Sequence, residues 1–340
     1  MQVFFSDVQM RHAPREFLVR GQWQPCPEKP ERATALKAAL LAAGHRVELP
    51  PAGHRAAIAA VHDHRYLAFL ETAHARWREL PGASTTVIPN IHPNGRGVGY
   101  PHSVVGQAGY HMADTACPLD GDSLDAILAS ADCAIAAAKS VLAGARSAYA
   151  LCRPPGHHAF ADMAGGFCYL NNSAIAAQIL RGQYGKVAIV DVDLHHGNGT
   201  QGIFYDRGDV LTVSVHADPA NFYPFFWGHA GETGEGAGKG ANLNLPLPLG
   251  SGDDAFLAAL DLGLAKVRSF GAEALVVALG LDAFAGDPFA GLAVTEDGFR
   301  RIAGKLATLQ LPSVLVQEGG YLCPELGRNL VAFLEGFGGA

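Results

Sequence analysis

The stretch "DVDLHHGNGTQ", residues 191–201, directly follows the short apolar run "KVAIV", residues 186–190. The apolar run predicts a buried strand, and Gly197 and Gly199 predict a sharp turn just beyond it. Two carboxylates and two imidazoles lie within the first six residues of the stretch. Such groups are common metal ligands in proteins. The stretch therefore predicts a metal site at the end of a buried strand.

Apolar strands and helical segments alternate on both sides of this stretch. The main predicted strands cover residues 1–6, 147–152, 186–193, 210–216, 274–282 and 313–317. Short apolar strands that alternate with helices are typical of a parallel sheet covered on both faces. With 340 residues, 49% of them apolar, the chain can bury a large core. We predict a single α/β domain over residues 1–340, with an open, mostly parallel sheet and helices on both faces.

Chemically rich segments follow five of the predicted strands. In chain order these segments read "RPPGHH", "DVDLHHGN", "HADPANFYP", "LDAFAGDP" and "EGGY". Ligands of open α/β sheets bind in the crevice beyond the carboxyl ends of the strands. We therefore expect the five segments to converge on one site.

Composition excludes several classes of partner. The net charge of −7 disfavours a nucleic-acid partner, which calls for a basic face. Six cysteines show no CxxC spacing, which favours reduced thiols in the cytoplasm. The N-terminus resembles no signal peptide, and no run of 18 apolar residues exists, so we expect no membrane partner.

Residues from Pro81 to Ser123 are rich in Gly, Pro, His and Asn. A loop of this length in a compact domain is usually functional or lies at an interface. A disordered insertion is the alternative. Interspersed Val, Ile and Tyr favour an ordered insert, which we place at about 81–118.

Three side chains are the predicted metal ligands. Asp193 and His195 project the same way from extended chain, and Asp282 follows another strand. Three protein ligands leave one coordination position open, as a catalytic site requires. Zinc is the leading candidate, although iron, cobalt or manganese also suits the oxygen-rich set. A polar cluster without a metal is the alternative.

A two-manganese centre, as in arginase-like ureohydrolases, is the rival metal hypothesis. Those enzymes hold their ions with an Asp-x-His-x-Asp run and a later Asp-x-Asp. Here Gly197 and Phe284 stand where the additional acids would be needed. One catalytic metal ion fits the sequence better.

Proton transfer is assigned to the adjacent His157 and His158, because imidazole titrates near neutral pH. Asp191 and Asn198 are candidates to orient the two rings. Their unequal charges predict that the Asp-backed ring stays protonated while the Asn-backed ring serves as the base. Tyr321 of "EGGY" is the candidate donor to a carbonyl oxygen, and an ordinary buried tyrosine is the alternative.

Taken together, "RPPGHH", "GGFCYLNN", "DVDLHHGNGTQ", "GAGKGANLNLPL", "LGLDAFAGDP" and "EGGY" resemble motifs of the zinc-dependent histone deacetylase superfamily. The bacterial acetylpolyamine amidohydrolases look most similar. The resemblance covers nearly the whole chain and implies an arginase/deacetylase-like fold with one zinc ion per chain.

The resemblance also implies roles for individual residues. Asp193, His195 and Asp282 match the zinc ligands, and His157 and His158 match the tandem catalytic histidines. Asp191 and Asn198 match their partners, and Tyr321 matches the tyrosine that polarises the substrate carbonyl. Phe167 and Tyr223 match the walls of the substrate tunnel, with Gly166 beside them. Main-chain oxygens of Asp191, Asp193, His195, Ser214 and Val215 match a structural potassium site, and Arg32 resembles an arginine near an internal acetate pocket.

The segment at 81–118 resembles the family insert that narrows the tunnel and forms a homodimer interface. Such narrowing favours a thin cationic substrate over a protein tail. Glu16 and Asp114 are candidate acids for the distal ammonium groups, with ordinary surface acids as the alternative. Phe289 stands where some polyamine-selective relatives carry a glutamate, which weakens the preference for polyamines.

We predict a metal-dependent amidohydrolase that removes acetyl groups from small acetylated amines, most of all acetylpolyamines. His158 is the favoured base, and either histidine can protonate the leaving amine. A deacetylase of acetyllysine in proteins, or of another small amide, is the alternative within the class. A non-catalytic acetyl-amine binding protein and the two-manganese ureohydrolase are the alternatives outside it.

Overall fold

The computed structural model describes residues 1–93 and 99–339. Its centre is an eight-stranded sheet in the order β4-β1-β5-β10-β9-β6-β7-β8, with parallel pairing throughout. The strands of this sheet are β1 (Gln2–Phe4), β4 (Arg46–Glu48), β5 (Ser147–Ala150), β6 (Val187–Asp191), β7 (Val210–Ala217), β8 (Asn242–Leu247), β9 (Ala274–Leu279) and β10 (Ser313–Gln317). A separate antiparallel hairpin joins β2 (Glu16–Val19) to β3 (Gln22–Pro25). The predicted fold class is confirmed.

Ten α-helices are present among the described residues. They are α1 (Pro30–Ala42), α2 (Arg55–Ala59), α3 (His64–Arg78), α4 (Val104–His111), α5 (Ser123–Leu142), α6 (Asn172–Leu180), α7 (Asn198–Phe204), α8 (Asp253–Phe270), α9 (Glu296–Ala307) and α10 (Leu326–Gly338). Of the helices in the described ranges, none is both long and apolar enough to cross a membrane.

The sheet is buried on both faces, as its apolar strands require. In β6, Ala188 and Val190 pack into the core that α1, α8, α9 and α10 cover. Val187 and Ile189 point the other way, into the core that α5 and α6 cover. This alternation follows from the two-residue period of a strand, and it leaves only the strand ends for chemistry.

The five strands whose ends carry the polar segments are neighbours in the sheet. They are β5, β10, β9, β6 and β7, in that spatial order. Asp191, the last residue of β6, lies in register with Ala278 of β9 and Ser214 of β7. The carboxyl ends of these strands therefore share one edge, as predicted from their segments.

The predicted insert at 81–118 is not one continuous loop, because helix α4 lies within it. The Ser103 side chain caps this helix by accepting a hydrogen bond from the Val105 N–H. Buried Val104 and Ala108 anchor the helix to a core formed with α3 and α5. Residues 94–98 of the predicted insert lie outside the described residues.

Candidate active site

The three predicted metal ligands lie together beyond β6 and β9. His195 Nδ1 is 3.2 Å from Asp193 Oδ1 and 3.0 Å from Asp282 Oδ2. One candidate ligand atom from each residue lies within 4.8 Å of the other two. All three side chains are buried. The structure thus brings a carboxylate–imidazole–carboxylate set to a single point.

This set of side chains fits a zinc ion. Two buried carboxylates this close together are costly unless a cation neutralises them. Two glycines make room for them, because a Cβ on Gly280 would overlap Asp193 and a Cβ on Gly319 would overlap both Asp193 and Asp282. Two oxygen ligands, one nitrogen ligand and a free fourth position are typical of catalytic zinc.

The metal-free site holds a proton on its imidazole. Burial lowers the pKa of His195, but hydrogen bonds with Asp193 and Asp282 outweigh burial and raise that pKa to about 9. A metal ligand must be deprotonated, so binding of a metal ion releases this proton. The affinity for zinc should therefore depend on pH.

We expect the apparent zinc affinity to rise roughly tenfold per pH unit up to about pH 9, because one proton leaves His195 on binding. Competition with a chelator at pH 6, 7 and 8 measures this slope. Replacing the exposed His64 by alanine should leave the slope unchanged. An affinity that does not vary with pH would show that His195 is not the titrating ligand.

The tandem histidines lie beside the metal ligands, each with its predicted partner. His157 Nδ1 is 2.9 Å from Asp191 Oδ2, and His158 Nδ1 is 2.7 Å from Asn198 Oδ1. The two ring centroids are 4.1 Å apart, and the His158 ring lies 5.8 Å from the ring of His195. Both Nδ1 atoms are occupied by these partners, so the Nε2 atoms are left for proton transfer.

The two histidines have opposite pKa shifts. Burial lowers the pKa of His157, but the carboxylates of Asp193 and Asp191 outweigh burial and raise it to about 10. Burial and the charges of His157 and His195 together hold the pKa of His158 well below its usual range. These opposite shifts have the direction expected from the unequal charges of Asp191 and Asn198.

A residue that the sequence reasoning missed, Glu318, holds the loop that carries these histidines. Its Oε2 accepts hydrogen bonds from the main-chain N–H of Gly156 at 2.6 Å and of His157 at 3.0 Å. Its Oε1 accepts from the Ser173 hydroxyl at 2.7 Å. Burial raises the pKa of Glu318 to about 7. Its position in "EGGY", one residue beyond an apolar strand, is the signal that could have revealed it.

His157, Cys168 and Glu318 form a second buried group with metal-ligand spacing. Both Glu318 oxygens already accept hydrogen bonds. Burial raises the pKa of the Cys168 thiol well above its usual range, which makes the proton release that metal binding requires more costly. This group is a hydrogen-bonded support for the histidine loop.

Tyr321 is buried beside Phe289, whose ring also packs against the ring of the metal-ligand candidate His195. Its N–H donates to Asp287 Oδ2 at 2.8 Å, and Asp287 Oδ1 accepts from the Phe289 N–H at 2.9 Å. The Phe289 ring packs against the Tyr321 ring with centroids 4.6 Å apart. Burial raises the pKa of Tyr321 well above its usual range, so the phenol stays protonated as a donor. Asp287 is a second residue that the sequence reasoning missed.

Arg32 lies behind Tyr321, with its guanidinium carbon 4.6 Å from the ring centroid. It donates to the main-chain oxygens of Gly320 and Glu318 and to the carboxylate of Glu28. Arg32 therefore stabilises the segment that carries Tyr321.

The residues expected in the tunnel wall lie beside His158 and Tyr321. The Tyr223 ring meets the His158 ring edge-on at 5.0 Å, and the Phe167 ring lies 6.1 Å from the Tyr321 ring. Gly166 has a φ of 51°, and a Cβ there would overlap the His158 ring. The wall is thus aromatic, and glycine is required where the chain passes His158.

The two candidate acids differ in their placement. Asp114 lies at the aromatic wall, where its Oδ2 accepts from the Tyr223 hydroxyl at 2.6 Å and the Gly166 N–H at 3.1 Å. Its Oδ1 accepts from the Ala116 N–H at 2.8 Å. Glu16 lies exposed on β2, and its side chain forms no hydrogen bond or ion pair with the described residues. The structure brings Asp114 to the site, whereas Glu16 lies exposed on the hairpin next to Phe17, whose ring is 5.5 Å from the ring of Phe167.

Sequence comparisons identify close relatives of the chain. The histone deacetylase domain matches residues 26–337. The acetylpolyamine amidohydrolase of Burkholderia pseudomallei (strain 1710b) is 48% identical over 342 residues, which cover 99% of this chain and 99% of the relative. The acetylpolyamine amidohydrolase of Mycoplana ramosa is 41% identical over 342 residues, which cover 100% of both chains.

Solved structures show the same likeness. The crystal structure of an acetylpolyamine aminohydrolase from Burkholderia pseudomallei superposes with a TM-score of 0.96 at 47% identity, covering 99% of this chain and 98% of that one. The HDA15 HD domain superposes with a TM-score of 0.82 at 28% identity, covering 100% of this chain and 91% of that one. The predicted resemblance is confirmed: the chain belongs to the histone deacetylase family.

Proposed function

We propose that the chain is a zinc-dependent amidohydrolase that removes acetyl groups from acetylated primary amines, with acetylpolyamines as the preferred substrates. The observation that carries this proposal is the meeting of Asp193, His195 and Asp282 with the tandem histidines and Tyr321 at one edge of the sheet. Relatives that bear the name acetylpolyamine amidohydrolase support the substrate class.

Zinc in this site would supply Lewis-acid polarisation of the amide carbonyl and would make a water molecule more acidic. One zinc ion per chain would be held by Asp193, His195 and Asp282. The remaining chemistry belongs to side chains of this protein.

Those side chains divide the work by their protonation states. His158 is neutral at neutral pH and takes the proton of the attacking water, and it then gives a proton to the leaving amine nitrogen as the bond from that nitrogen to the carbonyl carbon breaks. His157 holds its proton beside Asp191 and stabilises the charge that develops next to it. The Tyr321 hydroxyl donates a hydrogen bond to the carbonyl oxygen as that oxygen gains charge. Asn198 keeps the His158 ring in the tautomer that leaves Nε2 free to accept.

The wall residues favour a thin aliphatic substrate. The ring of Tyr223 lies beside His158 and that of Phe167 beside Tyr321, and both offer apolar surface to a methylene chain. Asp114 supplies the acid at this wall, although the four hydrogen bonds that it accepts leave it less free to bind an ammonium group. Phe289 packs against the ring of His195 and offers no charge for a polyamine.

We expect the zinc-loaded protein to turn over acetylputrescine with a kcat/KM at least about tenfold above that for an acetyllysine peptide. Beside the aromatic wall, the peptide substrate would leave at least one of its peptide groups poorly hydrogen-bonded, which costs about 1.4 kcal/mol or more. A panel of polyamines, peptides and small amides under identical metal loading measures this ratio. A higher kcat/KM for the peptide would favour the protein deacetylase. No turnover of any acetylated amine would favour the binding protein.

We further propose a homodimer formed through the 81–118 insert. Ile91, at the edge of the described part of the insert, is 61% exposed and offers apolar surface to a second copy. Sedimentation velocity decides the point: a single monomeric species at micromolar concentration would contradict the dimer.

A structural potassium ion is proposed beside β6 and β7, held by main-chain oxygens of Asp191, Asp193, His195, Ser214 and Val215. The main-chain oxygens of Asp193 and His195 accept no hydrogen bond from the described residues, so both are available to coordinate a cation. A higher Tm in potassium than in lithium chloride would support the ion, and equal Tm values would contradict it.

A single catalytic domain over 1–340 and a cytoplasmic location complete the proposal. Six free thiols support the location, since five of them are buried and the cytoplasm keeps thiols reduced. Limited proteolysis that yields two stable fragments would contradict the single domain, and secretion of the native protein would contradict the location.

A further inference from the structure

We infer that Glu318 is a positioning residue that fixes the tandem histidines of the proposed hydrolase through hydrogen bonds to the main chain beneath them. The inference rests on the proposed function for its effect on turnover. Its effect on the geometry of the histidines can be measured separately.

The Glu318 carboxylate is completely buried, and its hydrogen bonds go to three donors. Two of the donors are the N–H groups of Gly156 and His157, and the third is the Ser173 hydroxyl in the first turn of α6. A buried N–H without an acceptor is strongly unfavourable. Glu318 is therefore the group that allows this loop to keep its path through the protein interior.

Other contacts also fix the main chain of the histidine loop. The Arg153 N–H donates to the Gln9 side chain, and the Pro154 oxygen accepts from Ser130. A Cβ on Gly156 would meet the main chain at Asn172. The loop is held on both sides of the Glu318 contact. This contact therefore sets the position of the main chain at Gly156 and His157, which leads directly into the histidines.

The distances show why this position matters. Proton transfer needs donor and acceptor atoms within about 2.6–3.2 Å, and His157 Nδ1 lies 2.9 Å from Asp191 Oδ2. The residue after Glu318 also contributes, because the Gly319 N–H donates to Asp193 Oδ2 at 2.7 Å. The turn at 318–319 thus links the histidine loop to a metal ligand, so a shift of this turn moves both relative to each other.

The test compares Glu318→Gln with Glu318→Ala in the full-length, zinc-loaded protein. Glutamine keeps an oxygen for the two N–H groups and can donate its amide to Ser173, whereas alanine removes all acceptors. We expect Glu318→Ala to lower kcat for acetylputrescine about 10²-fold, with KM within about twofold and zinc retained, because a displacement near 1 Å costs that much. Glu318→Gln should stay within about fivefold of the wild-type kcat.

Asp132 provides the matched control, since it is another buried acid that accepts a main-chain N–H, and its hydrogen bonds go to Gly53 and His54 rather than to the histidine loop. Asp132→Ala should lower Tm without lowering kcat.

A Glu318→Ala kcat within threefold of wild type would overturn the inference. So would a Glu318→Gln loss as large as that of Glu318→Ala, because the charge and not the hydrogen bonds would then matter. If Glu318→Ala does not fold, Glu318→Asp replaces it, because its shorter side chain withdraws the acceptor.

Proton NMR gives a readout that does not depend on turnover. The His157 Nδ1–H, hydrogen-bonded to Asp191, should give a downfield resonance that Glu318→Gln and Asp132→Ala keep and Glu318→Ala shifts or loses. If wild-type protein proves inactive on acetylated amines, the proposed function fails while this comparison still decides the positioning role. An unchanged resonance in Glu318→Ala would contradict the role whatever the substrate.

Discussion

Replacing Asp282 by asparagine is expected to lower zinc occupancy well below one ion per chain and to reduce kcat/KM by at least about 10³-fold. A bound metal ion supplies several kcal/mol of transition-state stabilisation, and each 1.36 kcal/mol is tenfold in rate. The neutral amide keeps the size of the side chain but removes one of two charges that face the ion. Metal analysis after dialysis and turnover of acetylputrescine measure the two effects together.

Asp218 is the control for this substitution. It also follows a strand of the same sheet, β7, and its Oδ1 accepts only a local hydrogen bond from Ala220. Asp218→Asn should bind zinc and turn over substrate like the wild type. An Asp282→Asn protein with one zinc ion per chain and undiminished turnover would show that the proposed ligand set is wrong.

Replacing Tyr321 by phenylalanine is expected to lower kcat by about 10²–10³-fold, the usual effect of removing one oxyanion donor. KM should stay within about twofold and zinc content should not change, because the hydroxyl is not among the proposed ligands. The Phe289 and Arg32 contacts involve the ring, so the substitution leaves the packing in place. Steady-state kinetics on protein of measured zinc content separate these quantities.

Tyr66 is the control tyrosine, since it is buried in the core shared by α3, α4 and α5 and donates to the main-chain oxygen of Tyr169. Tyr66→Phe should cost about 1 kcal/mol of stability and leave kcat unchanged. Equal kcat values for Tyr321→Phe and the wild type would remove the tyrosine from the mechanism.

Much of the site followed from one rule about parallel sheets. Asp193 and Asp282 are far apart in the chain, but each follows a buried strand, and parallel strands bring their carboxyl ends to one edge. The pairing of His157 with Asp191 could be expected for the same reason. Chain order and apolar runs were therefore enough to gather these groups, although the geometry of the metal site remained to be seen.

Contacts that depend on how loops cross could not be read from the chain. Glu318 reaches the histidine loop and Asp287 reaches the Tyr321 N–H only because two strand-end segments pass close to each other. The bond from Tyr223 to Asp114 joins residues 109 positions apart on different loops. The spacing of apolar residues along the chain gives no information on contacts between loops. Carboxylates with a positioning role could therefore not be distinguished from ordinary surface acids.

Short and polar strands were missed for a different reason. β8 reads "NLNLPL", where a proline normally argues against a strand, and it is tolerated here because β8 is at the edge of the sheet. The β2–β3 hairpin has only four residues in each strand and little buried surface. Apolar patterning detects strands that build the core, and these strands contribute little to it.

Anomalous diffraction at the zinc edge, on crystals of zinc-loaded protein, is the most direct test of the proposed metal centre. We expect one peak per chain, within about 2.0–2.2 Å of a His195 nitrogen and of oxygens from Asp193 and Asp282. Two peaks about 3.5–4 Å apart would favour a two-metal centre. A peak that these three side chains do not touch would contradict the proposed site outright.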